Sequence, residues 1–123
     1  MALILLIDDS NFSRSLTGKI VKNAGHELME AEDGISGLKA ITTRTPDCII
    51  SDMLMPGMDG HKFLLAVRNS NIKVPVIILT ADVQEKTRTD CLDLGAVAVL
   101  HKPPRADTLL ASIESALERG RLP

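Results

Sequence analysis

Apolar residues gather in four short uninterrupted runs, at residues 3–7, 48–50, 74–79 and 96–100. Runs of this length without alternation predict strands buried on both faces, as in a parallel sheet. Between them apolar positions recur at helical spacing: Phe12, Leu16, Ile20 and Ala24; Ile35, Leu38 and Ile41; Phe63, Leu64 and Val67; and Leu109 or Leu110 with Ile113 and Leu117. Residues 27–31 read as a weaker strand and 83–94 as a weaker helix, so strand and helix alternate five times. Gly25 and Gly95 stand where helices should end, and Asp33, Asp59 and Asp82 where helices should begin. Right-handed crossovers then require an α/β fold, a single doubly wound parallel sheet of five strands with helices on both faces.

Composition narrows the function. The chain has 123 residues, 45% hydrophobic and 24% charged, enough for one globular domain with a real core and unlike a disordered or collagen-like chain. Fourteen Lys and Arg against sixteen Asp and Glu give a formal net charge of -2, without the basic excess that non-specific nucleic-acid binding draws on. No nucleic acid partner is expected. The opening apolar run stops at Asp8-Asp9, lacks a basic leader or cleavage site, and no stretch approaches the ~20 apolar residues of a membrane span. Two cysteines, Cys48 and Cys91, do not make a disulfide framework, so a cytoplasmic setting without membrane attachment is expected. Trp and Tyr are absent and Phe12 and Phe63 are the sole aromatics, which disfavours stacking of a flavin or of bases. With no linker or repeat, residues 1–123 are expected to form one domain with no output domain, monomeric with a dimer left open.

In an open α/β sheet the ligand site lies beyond the carboxyl ends of the strands. Those ends carry Asp8 and Asp9, then Asp52, then Thr80, then Lys102. Each alone could be a cap for the next helix. Together they bring three carboxylates, a hydroxyl and an ammonium to one edge. Three carboxylates would carry about -3 at neutral pH and repel one another. Lys102 supplies one counter-charge, and a hard divalent cation such as Mg²⁺, which favours oxygen ligands and retains waters, would supply two more. Apart from His101 no histidine or cysteine stands at these ends, which disfavours zinc.

Leu-Ile-Asp-Asp at residues 6–9, Glu32-Asp33-Gly34, Ser51-Asp52 followed by Met55-Pro56-Gly57-Met58-Asp59-Gly60, Leu79-Thr80-Ala81, Gly95-Ala96 and Lys102-Pro103 resemble the landmarks of two-component response regulator receiver domains, above all the stand-alone chemotaxis type. The resemblance covers essentially the whole chain. It implies a flavodoxin-like sheet of order 2-1-3-4-5. It also implies a protein that catalyses only its own phosphorylation and dephosphorylation and is otherwise no enzyme. Asp52 would accept a phosphoryl group from the phosphohistidine of a sensor kinase or phosphotransfer protein. Asp9 and Asp52 would bind Mg²⁺ through their side chains, Leu54 through its backbone carbonyl and Asp8 through a water. Lys102 and Thr80 would hold phosphoryl oxygens, and Lys102-Pro103 would be cis. The altered surface, carrying Ala81, Asp82, Arg88, Leu92 and Val99, would engage a downstream protein. The chemistry agrees, because a carboxylate ionised at neutral pH can attack phosphorus without an activating base.

Two departures stand out. Val99 occupies the position three before the lysine where the family commonly has Tyr or Phe, so the usual swinging ring is missing. Pro104 and Arg105 replace the more usual aromatic and small hydroxyl residue, leaving Asp107 to favour the start of the last helix. Two alternatives remain beside the receiver reading: an aspartate-dependent small-molecule phosphatase or phosphotransferase, and a degenerate receiver serving only as a binding module. The first typically has a second acid where this chain has Leu54, and a cap insertion that this chain lacks. His26, His61 and His101 read as packing or surface residues, and the two cysteines as packed and unreactive.

Overall fold

The strand nearest the amino terminus, β1 (Leu3–Ile7), is buried at every position, as are β3 (Cys48–Asp52) and β4 (Val76–Thr80). This burial on both faces is what unbroken apolar runs encode. The computed structural model describes residues 1–82 and 84–121. Among them β2 (Glu27–Ala31) and β5 (Ala98–His101) complete one parallel sheet in the order β2-β1-β3-β4-β5. The register sets Ile7 beside both Ala31 and Ser51, Asp52 beside Leu79 and Thr80 beside His101, so the carboxyl ends of the strands form one edge.

The helices are α1 (Asn11–Asn23), α2 (Gly34–Thr43), α3 (Gly60–Asn69), α4 (Glu85–Asp93) and α5 (Ala106–Arg121). Alternate strand residues serve two cores. Ile4, Leu6, Ile50 and Leu79 meet Val21 of α1 and Leu109 and Ile113 of α5. Leu5, Ile7, Ile49 and Ile78 meet Ile41 of α2, Phe63 of α3 and Cys91 of α4. Each fully buried side chain of this size contributes roughly 1.5–3 kcal/mol relative to exposure.

Asp33 and Asp59 cap α2 and α3, accepting the backbone N–H of Ser36 at 2.7 Å and of Lys62 at 2.9 Å. Gly25 and Gly95 follow α1 and α4 with φ of 91° and 109°, a conformation that side chains other than glycine's rarely adopt. Two expectations need correction. The apolar spacing in α1 points Phe12, Leu16, Ile20 and Ala24 at the sheet, yet the helix buries Thr17, Gly18 and Val21 and leaves Phe12 76% and Leu16 45% exposed. Gly18 explains the turn of the helix, since a Cβ there would stand 3.0 Å from Leu28 Cδ2 and hold α1 off the sheet. Asp82 does not cap α4. The cap is Gln84, with no side-chain bond, and Asp82 sits outside the helix, accepting the Gln84 N–H at 2.9 Å and the Thr87 hydroxyl. Val83, where the sequence reading opens this helix, lies outside the described residues.

Candidate functional site

Asp8 directly follows β1, Asp52 ends β3, Thr80 ends β4 and Lys102 directly follows β5, so the sheet itself delivers four of the expected site residues to one edge. Asp8, Asp52 and Thr80 are buried, while Asp9 is exposed. The segment after Asp52 is pinned from both sides. Met53 donates its N–H to the Leu79 carbonyl, Gly60 donates back to the Met53 carbonyl, each at 2.8 Å, and Gly57 turns the chain with a φ of 80°. Met53 and Met55 face inward while Leu54, two residues after Asp52, is left 71% exposed. Lys102 is fixed by its N–H on the Thr80 carbonyl at 2.8 Å, and the Lys102–Pro103 peptide bond is cis.

One carboxylate oxygen from each of Asp8, Asp9 and Asp52 lies within 4.8 Å of the others. Lys102 Nζ bridges two of them, 2.8 Å from Asp52 Oδ2 and 3.2 Å from Asp8 Oδ2. Burial pushes the Asp52 carboxyl above the usual carboxylate range, helped by the Asp8 charge, and the Lys102 ammonium only partly pulls it back. Burial works against the Lys102 charge too, but its hydrogen bond and attraction to Asp52, with Asp8 behind, outweigh it and hold the ammonium charged. An excess of buried negative charge therefore remains. The donors are all oxygens, with no histidine or cysteine in the group, a set that suits a hard divalent cation and fits Mg²⁺.

Thr80 is at the edge, but its hydroxyl oxygen accepts the Asp82 N–H at 3.0 Å, turned toward its own loop. Thr80, Asp82, Arg88 and Val99 line one small cavity of about 90 Å³ beside the site. Leu92 is half-buried on α4 outside that lining, and Ala81 is exposed. Asp107 lies in the first turn of α5, bonded to the Thr108 N–H and paired with Arg105. Both cysteines are buried, and burial raises both thiols, that of Cys48 to about 12, so neither is a reactive thiolate at neutral pH. His26 accepts the Ala2 N–H at 3.1 Å and ties the amino terminus down, as a packing residue does.

Sequence reasoning missed Ser13 and Arg14. The Ser13 hydroxyl donates to Asp8 Oδ2, and Arg14 donates to the Asp8 carbonyl and to Asn11 Oδ1 while pairing with Glu30 at 3.3 Å. No motif marks either; the signal available was their place one helical turn beyond Asp8-Asp9.

The model of the response regulator receiver domain matches residues 4–114. The chain is similar to the protein-glutamate methylesterase/protein-glutamine glutaminase of Treponema denticola, 36% identical over an alignment of 122 positions that covers 94% of this chain and 32% of that protein. It thus spans about a third of that relative's length. Among solved structures, the receiver domain of the Francisella response regulator 1452 superposes with a TM-score of 0.93 at 29% identity, covering 98% of this chain and 100% of the other. The Vibrio cholerae chemotaxis protein CheY4 superposes with a TM-score of 0.88 at 33% identity, covering 95% and 99%. Fold, strand-edge acids and these likenesses agree, and the chain belongs to the response regulator receiver domain family, the phosphorelay modules of two-component signal transduction.

Proposed function

We propose that residues 1–123 form one receiver unit that takes a phosphoryl group onto Asp52 from a phosphohistidine of a sensor kinase or phosphotransfer protein and signals through a changed surface. The bridging of Asp52 and Asp8 by Lys102, with Asp9 within reach, carries the reading, because it unites an ionisable nucleophile with one ammonium counter-charge and a carboxylate group able to hold a divalent cation. In the transfer an Asp52 oxygen forms the new O–P bond as the P–N bond to the donor imidazole breaks; the imidazole leaves with that electron pair and takes a proton from solvent. Lys102 neutralises a phosphoryl oxygen, and Thr80 donates its hydroxyl to another after turning from Asp82.

Asp9, Asp52 and the Leu54 carbonyl would hold Mg²⁺ directly and Asp8 through a water. Bound there, the ion supplies positive charge to the phosphoryl oxygens as they approach a buried carboxylate. Among the described residues no helix is long and apolar enough to cross a membrane. The free thiols of Cys48 and Cys91 fit a reducing compartment, and we place the protein in the cytoplasm. The downstream partner is a protein that reads the face of Arg88, Leu92 and Val99.

The test is mass spectrometry after treatment with a small phosphodonor and Mg²⁺. One added phosphoryl group is expected on Asp52, lost in Asp52→Asn and on chelation. Undiminished labelling of Asp52→Asn would overturn the assignment, and Asp9→Ala labelled as fast as wild type would overturn the metal role.

A further inference from the structure

Asp8 is tied on both oxygens. Oδ1 accepts the Ser10 N–H at 3.0 Å, while Oδ2 accepts the Ser13 hydroxyl and faces Lys102 Nζ at 3.2 Å. The residue is 1% exposed. Asp9, by contrast, is exposed and makes no hydrogen bond or ion pair among the described residues. The three acids of the cluster are thus unequal.

The Ser13 bond follows from how α1 begins. Ser10 is the cap, its hydroxyl oxygen accepting the Ser13 N–H at 3.2 Å. In a capping box the residue three beyond the cap reaches back to the cap's own N–H. Here Asp8 already takes that N–H, so the short Ser13 hydroxyl is left to donate to Asp8 instead. A carboxylate oxygen has about two lone-pair sites. With a hydroxyl and an ammonium on Oδ2, a cation can bind that oxygen only by displacing one of them.

We propose that Ser13 is a positioning residue of the metal site: its hydroxyl holds the Asp8 carboxylate toward α1, keeps it one step removed from the cation, and leaves direct ligation to Asp9 and Asp52. The proposal rests on the phosphoacceptor reading above. Ser13 then acts through Asp8 and limits cation affinity, since Mg²⁺ gives up its waters reluctantly and gains little from Oδ2, whose lone-pair sites are taken by Ser13 and Lys102.

The test is calorimetric titration of the full chain with Mg²⁺ alone, with folding of each variant checked by circular dichroism. Ser13→Ala is expected to bind Mg²⁺ about three- to tenfold more tightly, the span set by the net worth of one hydrogen bond. Ser13→Thr keeps the hydroxyl and is expected to keep the wild-type constant. A purely structural role would lower the melting temperature without tightening the ion. Unchanged or weaker binding by folded Ser13→Ala would overturn the proposal. If wild type still binds while Asp9→Ala does not, the phosphoacceptor reading survives that failure. Absence of binding by wild type would overturn both.

Discussion

Leu54 stands two residues beyond Asp52 and is 71% exposed, and we propose that it flanks the path of water to a phosphoryl group there. Its apolar side chain cannot orient that water. Asp82, two residues beyond Thr80, has its carboxylate engaged by Gln84 and Thr87, which leaves Leu54 as the stronger lever on the lifetime of the phosphorylated form. Leu54→Asn is therefore expected to hasten dephosphorylation by a few-fold, and an unchanged decay of the label would contradict this. Asp52 itself gives a pH-dependent prediction. Its folded-state carboxyl lies above the unfolded value, so the protonated form is favoured by folding and the ionised form opposes it. Stability from this group is full below the unfolded value near pH 4 and declines as pH rises through the folded one. In chelator, Asp52→Asn should melt a few degrees above wild type at pH 7, with the gap closing toward pH 4; a gap that widened on acidification would contradict the assigned sign.

At the level of elements, Gly60 shows how helix packing serves the site. A Cβ on this first residue of α3 would lie 3.1 Å from the Met53 Cα and 2.8 Å from Met53 Sδ, so backbone next to Asp52 would have to give way. Gly60→Ala should cost about 1–3 kcal/mol, as overpacking does, and shift the amide resonances of Asp52 and Met53; chemical denaturation and an NMR spectrum check both. β1, β3 and β4 were legible in the sequence because burial on both faces leaves unbroken apolar runs, and the strand-end acids followed from them. The apolar run at 96–100 belongs instead to β5, an edge strand that is only half-buried and not covered on both faces as its run suggested. The exposed side of α1 was not, because large apolar residues drew the eye to Phe12 and Leu16 while the contact was made by Gly18, which periodicity does not weigh. The α4 start was misplaced for a related reason. Asp82 has a cap's chemistry but bonds from outside the helix, and with Cys91 its only buried residue α4 offers little apolar pattern to locate it. Ser13 was invisible because a hydroxyl acquires a role from what folds over it.

Across the whole molecule the sheet edge and the α4–β5 face meet at Thr80, which lines one cavity with Arg88 of α4 and Val99 of β5. Its hydroxyl oxygen holds the Asp82 N–H, and Asp82 in turn holds Gln84 and Thr87 at the start of α4, a hydrogen-bonded path from the strand end into the helix. In the proposed phosphorylated state Thr80 would turn to donate to a phosphoryl oxygen on Asp52, that first link would be remade, and the loop through Ala81 would follow because the backbone is continuous. Val99 offers no ring to fill the space Thr80 leaves, and the cavity it lines with Arg88 and Asp82 is already open at about 90 Å³. The signal should therefore travel as displacement of the loop and α4 rather than by exchange of a large side chain. The displacement is expected to be modest, since the site biases the two arrangements only by the difference in its contacts with them. NMR with the phosphoryl mimic beryllofluoride is expected to shift Thr80, Asp82 and residues 84–100, and to shift Gln84 and Arg88 less in Thr87→Val, where the last link is cut. Shifts confined to Asp8, Asp9, Asp52 and Lys102 would show that this face carries no output.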